Sequence, residues 1–345
     1  MTQTDPNSDK LASVFRFFTP FRTYALTVIL ALAYGYFCVV FFSDGFLGNL
    51  DLETFSWTFV FLVPYAIGIV SVSSNYFTKR WRKDESLPLK EISIWEAIFI
   101  PWLGVALVTL GALAITLGFL LCFVISVPIV FPAASFGGLS VWLIQKNQKF
   151  VAILIACAIF APFGLSPVEA QFEKERQTVH TLTSIHINAN AETVWSEIGR
   201  VDVIEEEEHR FNWTHWVGIP RPVEATLTEP EVGGVRIGHF ENGLMFEEEI
   251  IEWEENVLMR FRISEASDTL LPAPLDVMDG ETFDVVAGMY QIEPLDDGTV
   301  ILHFSSEHYL QTRFNRYGAR WTDYLMRNLQ DYILEIIKER AELVE

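Results

Sequence analysis

The sequence predicts two parts: a multi-span α-helical membrane domain, then an α+β domain in which a curved antiparallel sheet is covered by one long C-terminal helix. Three observations carry this expectation. The 345 residues are 50% apolar with a mean hydropathy of +0.26, yet the net charge is −21. The two properties separate along the chain: residues 1–169 hold 10 basic and 10 acidic side chains, whereas residues 170–345 hold 14 basic and 35 acidic ones. Apolar residues form long uncharged runs in the first half, and in the second they alternate with period two before switching to helical spacing near the C-terminus. A length about twice that of a usual domain agrees with two units. This pattern excludes a single soluble domain, a disordered chain and, for want of a basic patch, a nucleic-acid-binding protein. Cys38, Cys122 and Cys157 all lie in apolar stretches, so they form no disulfide framework or CxxC site, and the redox compartment stays open.

Residues 1–23 read as a cytoplasmic or interfacial segment, with Leu11–Phe21 either an amphipathic lead-in or a plain flank of the first span. Tyr24–Phe42 has 19 positions without a charge, close to the ~20 residues that cross ~30 Å of hydrocarbon. Phe55–Phe77 repeats the pattern. A cleaved signal peptide is the rival for the first run, but the run is long and ends in Tyr36-Phe37-Cys38-Val39-Val40-Phe41-Phe42, with no small-residue cleavage site. Asp44, Asp51 and Glu53 lie between the runs, and Lys79, Arg80, Arg82, Lys83 and Lys90 follow the second. The positive-inside rule puts that basic loop and the N-terminus, with Lys10, Arg16 and Arg22, in the cytoplasm. Ala97–Ile144 is 48 residues without a charge, ~72 Å as helix. That length suits two spans, 97–118 and 120–144, with Gly118, Pro128, Pro132 and Gly137-Gly138 as candidate breaks. A last span, 150–166, closes a membrane domain over 24–166. Five spans at an inner (cytoplasmic) membrane place the C-terminal domain on the extracytoplasmic side; four spans, with part of 97–144 re-entrant, place it in the cytoplasm. Apart from Glu96 at the edge of the third, no span holds Asp, Glu, Lys, Arg or His, which favours anchoring over transport.

A charged linker, 167–177, leads to the second domain, 178–345. Thr178–Asn188 alternates, with Val179, Thr181, Thr183, Ile185 and Ile187 on one face, as a strand does. Ala191–Ile198 is a short helix. Val201–Pro222 is irregular, with the acidic run Glu205–Glu208 and the aromatics Phe211, Trp213 and Trp216. Strands follow at Val223–Leu227, Val235–Phe240, Leu244–Trp253, Val257–Ser264, Thr282–Ile292 and Val300–Leu310. Turn chemistry joins them at Gly233-Gly234, Asn242-Gly243, Glu254–Asn256 and Asp296-Asp297-Gly298, and Leu270–Asp279 is a proline-containing loop. Arg313 to about Leu343 is one helix with the stripe Tyr317, Trp321, Tyr324, Leu325, Leu329, Tyr332, Ile333, Ile336 and Ile337. One helix laid over a curved sheet covers it incompletely and leaves a cavity between them, the helix-grip arrangement.

In this order the motifs resemble those of the START-like, or SRPBCC, superfamily, which includes polyketide cyclases and lipid-transfer proteins. The matching stretches are Ala191-Glu192-Thr193-Val194-Trp195 after the opening strand, Gly218-Ile219-Pro220-Arg221-Pro222, and the spaced set Phe246, Glu248, Ile250 and Trp253. Gly288 with Tyr290, then Leu295, Gly298 and Thr299, and finally Trp321 with Ile336-Ile337-Lys338 complete the match. The whole chain resembles bacterial proteins in which this domain follows several membrane spans, including the stretch Cys122 to Pro128. The resemblance implies an apolar ligand, lipid or isoprenoid-like, held under the long helix.

Face parity selects the groups expected to line that cavity. Phe246 and Ile250 bracket Glu248; Val300, Leu302 and Phe304 continue to Ser306 and His308; Val286, Gly288 and Ile292 share parity with Tyr290; Val235 and Ile237 precede His239; and Met259 and Phe261 lie on a uniformly apolar face. From the final helix come Trp321, Tyr324 and Leu325. Phe211, Trp213 and Trp216, with Leu270, Leu271, Pro272 and Pro274, are candidates for its mouth. A carboxylate buried near a histidine suits proton transfer, so Glu248 with His308 is the candidate acid–base pair of a cyclase or hydrolase; a plain structural role for each is the alternative. No metal site or cofactor is expected. His180 and His186 are ~20 Å apart along one strand, His209 and His215 lack a supporting HExxH or Cys pair, and GxSxG and GxxxxGK[ST] are absent. Membrane lipids and an apolar small molecule are the expected associates, with a membrane-protein partner in the alternative reading of the chain as a structural or sensing subunit.

Overall fold

The computed structural model describes residues 25, 27–42, 56–81, 91–115, 119–265 and 282–344. The expected N-terminal lead-in, the acidic and basic loops at 43–55 and 82–90, and the proline-containing loop at 270–279 lie outside the described residues. The chain separates into two compact units, Met1–Ile115 with Phe123–Glu173, which is helical, and Lys174–Glu345, with which Thr116–Cys122 is grouped.

The helical unit contains α1 (Thr27–Phe42), a π turn (Thr58–Leu62) that runs into α2 (Val63–Trp81), α3 (Ile94–Ile115), α4 (Phe119–Ile144) and α5 (Gln148–Glu169). Four of these stretches, Thr58–Phe77, Ile94–Gly111, Phe123–Ile144 and Gln148–Glu169, are long and apolar enough to cross a membrane. Helices thus occupy all the runs read as spans. Glu96 has a local explanation: Ser93 N donates to Glu96 Oε2 (2.8 Å) and Glu96 N donates to Ser93 Oγ (3.2 Å), a capping box that starts α3. Glu169 caps a different helix. Its carboxylate accepts from Trp57 N (2.6 Å) and Thr58 N (2.8 Å), placing an anion at the N-terminus of the π turn.

Pro128, Pro132 and Gly137-Gly138 do not break the long uncharged run; all lie inside α4. α3 ends at Ile115 and α4 begins at Phe119, and Gly118, the remaining candidate break, lies outside the described residues. The glycines are contact surfaces. A Cβ on Gly68 would lie 2.0 Å from Ala134 O, on Gly137 2.0 Å from Tyr65 O, and on Gly138 2.0 Å from Ala97 O. Backbones of α2, α3 and α4 therefore touch where only hydrogen fits, the close approach that small residues permit.

The second unit is a seven-stranded antiparallel sheet in the order β1-β7-β6-β5-β4-β3-β2. Its strands are β1 (Gln177–Ile187), β2 (Pro222–Leu227), β3 (Val235–Phe240), β4 (Met245–Glu254), β5 (Leu258–Glu265), β6 (Phe283–Pro294) and β7 (Val300–Leu310). Helices α6 (Ala191–Gly199) and α7 (Trp213–Trp216) precede the meander, and α8 (Asn315–Val344) closes the chain. Asn242 (φ 61°) and Gly243 (φ 78°) carry β3 into β4 in left-handed conformations, within a 3-10 turn over Glu241–Gly243 whose strand register is one residue off that of the expected two-residue turn. The core joins the inner sheet face (Ile187, Ile250, Met259, Phe261, Ile292, Leu302) to Trp195 and Ile198 of α6 and to Leu334, Ile337 and Ala341 of α8. At Gly288 the facing Phe261 ring occupies the space a side chain would take, since a Cβ there would lie 2.4 Å from it.

Two strands differ from the parity read off the sequence. In β6 a bulge between Val285 and Ala287 shifts the register, so Val285 rather than Val286 is buried with Gly288, Tyr290 and Ile292. In β3 the inward residues are Arg236 and Gly238, not Val235, Ile237 and His239. The alternation is present, but the apolar Val235 and Ile237 take the outer face and Arg236 turns inward to meet Glu248.

Candidate functional site

The inner face of the sheet carries two polar stations in an apolar surround. The first spans three strands. Arg236 on β3 and Glu248 on β4 are direct cross-strand partners and form an ion pair, with side chains only 7% and 10% exposed. Tyr290 on β6 is 2% exposed, and the Arg236 guanidinium lies 6.0 Å from its ring centre. Burial pushes the Glu248 carboxyl upward against the pull of Arg236. Burial lowers Arg236, but Glu248 and Tyr290 outweigh it and hold the guanidinium above its ordinary value. Burial also raises the Tyr290 phenol. Arg236 Nε is buried and makes no hydrogen bond of ordinary geometry, although the Tyr290 phenol acts on the guanidinium as a neighbouring hydrogen-bonding group. Buried polar atoms are nearly always paired, so an orphaned donor in this position calls for an explanation.

The second station lies under the first turns of α8. His308 on β7 is fully buried and its Nε2 is 3.0 Å from Thr322 Oγ1. Thr322 Oγ1 also reaches Ala319 O (3.3 Å), an arrangement that suits the tautomer with its hydrogen on Nε2. His308 Nδ1 is then a bare acceptor, and it too is buried without a partner. Next to it, Thr181 bonds Asp323 (2.9 Å), and Gln330, itself fully buried, links Thr183 (2.7 Å) to Ser306 (3.0 Å). These bonds tie β1 and β7 to one face of α8.

Burial, opposed by Asp323, pushes His308 down from 6.5 to about 4. The unfolded chain therefore takes up this proton at higher pH than the folded one. The stability this confers is complete above about pH 6.5 and is lost as pH falls toward 4, amounting to ~3 kcal/mol. Between pH 7 and 4.5 the unfolding midpoint of the wild type is expected to fall more steeply than that of His308→Gln. Parallel profiles would remove His308 as the cause.

The expected lining residues divide on inspection. Met259 and Phe261 are packed in the core at 0% and 2% exposure, with Tyr290 stacked on Phe304 at 4.2 Å. Phe246, Phe304, Trp321 and Leu325 are half-buried, and so is His239, away from the inner face. Tyr324 is not on the inner face: it is 48% exposed and stacks on Trp213. Helical spacing placed it in the apolar stripe, but the stripe rotates toward Gln330, Leu334, Ile337 and Ala341, all 2% exposed or less. Glu248 and His308 are not brought together. Three strand spacings separate β4 from β7, ~14 Å, and each has another partner. Nor do the aromatics of the irregular segment form a mouth on the inner face. Trp213 and Tyr332, with Asp331 and Glu335, line a separate groove of about 300 Å3 beside α8, and Phe211 and Trp216 are 89% and 73% exposed. His209 and His215 both contact Tyr332 rather than converging on an ion position. Among the described residues no three His, Cys, Asp or Glu side chains are grouped to hold a metal.

Two contributors were missed. Arg236 pairs with Glu248 across the hairpin, whereas counting outward from a two-residue Asn242-Gly243 turn pairs it with Glu249, so the sequence alone does not point to this partner. Gln330 interrupts an apolar helix face, a signal visible in the sequence.

A curved antiparallel sheet gripped by one long C-terminal helix, with α6 against the same face, defines the helix-grip class. Solved structures with similar folds include a truncated norcoclaurine synthase from Thalictrum flavum (12% identity, 50% of this chain and 96% of that one, TM-score 0.29). Others are the major latex-like protein 151 of Panax ginseng (13%, 46% and 96%, 0.29) and an uncharacterised protein from Bacillus thuringiensis (19%, 48% and 99%, 0.31). At these identities and scores the likeness carries no argument about ligand or chemistry. No protein-family model and no curated protein matches the chain.

Proposed function

We propose that the protein is a membrane-anchored binding module whose helix-grip unit holds an apolar molecule between the sheet and α8. The observation that carries this reading is the pair of orphaned polar atoms on the inner face, the donor Arg236 Nε and the acceptor His308 Nδ1. A ligand with an acceptor oxygen at one end and a hydroxyl at the other, ~19 Å apart across the four strand spacings from β3 to β7, would satisfy both, and its apolar body would lie along Phe246, Phe304 and Leu325. The helical unit supplies the anchor in this reading, with the N-terminus in the cytoplasm and the C-terminal unit across the membrane. An acid–base enzyme is disfavoured because Glu248 and His308 stand apart.

The full chain is expected to stay in the membrane pellet after alkaline carbonate washing. Organic extraction of the detergent-purified protein is expected to release a stoichiometric apolar compound identifiable by mass spectrometry. The double variant Arg236→Met/Glu248→Leu, which removes the polar station with little change of volume, should lose most of it. A wild-type protein that yields no such compound and admits no neutral fluorescent probe such as phenylnaphthylamine would overturn the reading.

A further inference from the structure

Helix α2 is the most enclosed of the apolar helices: 67% of its most apolar stretch is buried, against 22–28% for α3, α4 and α5. It is also where polar side chains concentrate. Ser71, Ser73, Ser74 and Asn75 are 0%, 2%, 9% and 1% exposed. Thr27 Oγ1 donates to Ser74 Oγ (3.3 Å), but Ser71 Oγ, Ser73 Oγ and Asn75 Nδ2 have no hydrogen-bond partner. In water such groups are hydrated; in hydrocarbon only protein or ligand can satisfy them.

Ser71 lines a crevice of about 230 Å3 between α1, α2 and α3, together with Thr27, Val28, Phe99, Leu103 and Gly104. Phe99 and Leu103 are 47% and 49% exposed, so the crevice opens sideways from the bundle. Its floor is deep because residue 104 is glycine; a Cβ there would lie 3.2 Å from Ser71 Oγ. The volume falls below the ~300–1,000 Å3 of pockets that enclose a whole ligand. It therefore suits one end of a molecule whose remainder stays in lipid.

Depth identifies the chemistry. Ser71 is about four residues from the middle of the Thr58–Phe77 stretch, ~5 Å from the bilayer midplane at 1.5 Å per residue. Glycerolipid ester carbonyls sit at the edge of the ~30 Å core and fall ~10 Å short of it. We propose that the crevice binds a neutral apolar molecule bearing a carbonyl oxygen, of quinone or ring-ketone type, which accepts a hydrogen bond from Ser71 Oγ while its tail leaves between Phe99 and Leu103. This site is separate from the helix-grip interior and rests on the membrane reading of the helical unit.

The test uses the full chain in neutral detergent with a decyl-substituted benzoquinone as probe. The probe is expected to raise the thermal unfolding midpoint of the wild type. Ser71→Ala should weaken binding about fivefold or more, the loss expected for one hydrogen bond, while leaving the ligand-free protein at least as stable, because it removes an unsatisfied hydroxyl. Val28→Phe, which fills the crevice, should abolish binding. Equal affinity in wild type, Ser71→Ala and Val28→Phe overturns the proposal, as does displacement of the probe by dioleoyl phosphatidylcholine. A chain released from membranes by carbonate would remove the membrane reading itself; a carbonate-resistant chain that fails to bind the probe loses only this site.

Discussion

Replacing Arg236 with leucine is expected to destabilise the helix-grip unit by ~3–5 kcal/mol, whereas replacing Arg236 and Glu248 together by methionine and leucine is expected to restore most of that loss. The asymmetry follows from burial. With both groups present, Glu248 and Tyr290 outweigh the desolvation of Arg236, and Arg236 offsets part of the desolvation of Glu248. Without the guanidinium, the Glu248 carboxyl is left alone in the apolar face beside Ile250 and must be protonated to remain there. The double variant removes both costs and fills the space with side chains of similar volume. Hydrogen–deuterium exchange of the β3 and β4 amides, with urea unfolding of the intact protein, measures the effect where it arises. A single variant as stable as the double would mean that the pair is not a closed unit. Because the double variant should also lose bound ligand, it separates the fold from the binding reading: a folded domain without ligand is the expected outcome.

Gly68→Ala is expected to cost the helical unit ~1–3 kcal/mol or more. The added Cβ would meet the carbonyl of Ala134 at 2.0 Å. No rotamer change relieves a clash with backbone, so α2 and α4 must move apart, and the reciprocal contact of Gly137 with Tyr65 O opens with them. Gly164→Ala in α5 is the matched control. A Cβ at Gly164 has no atom within 4 Å, and alanine is the better helix former by up to ~1 kcal/mol. Thermal unfolding of the two variants in the same detergent should therefore move in opposite directions. Equal midpoints would show that the α2–α4 contact yields more readily than close-packed backbones should.

Much of this architecture is legible in the sequence because it is written in local periodicity and turn chemistry. The seven strands, the Asn242-Gly243 and Asp296-Asp297-Gly298 turns and the long final helix all depend on residues close together in the chain. What escaped depended on partners elsewhere. Period-two alternation in Val235–Phe240 is symmetric between its faces, and only Glu248 across the hairpin decides that arginine goes inside. The bulge at Val285 leaves no local mark, since the inserted residue has the same apolar character as its neighbours. Tyr324 belongs to a helix whose buried face is defined by Gln330 and Ala341, one polar and one small, which a search for large apolar residues passes over. At the site level the inward aim of His308, Glu248 and Tyr290 could be anticipated; their separation into two stations could not, because it depends on strand order rather than on parity.

The enclosure of α2 also bears on the order of events by which the helical unit is assembled. It is the least apolar of the four long stretches, and it alone is surrounded on most sides by other helices. In a bilayer a helix that buries several serines and an asparagine against its neighbours has reason to wait for them, because lipid tails offer those groups nothing. On the membrane reading, synthesis delivers α2 before α3, α4 and α5 exist. The Thr27–Ser74 contact with α1 is then available to α2 before the later helices close around it.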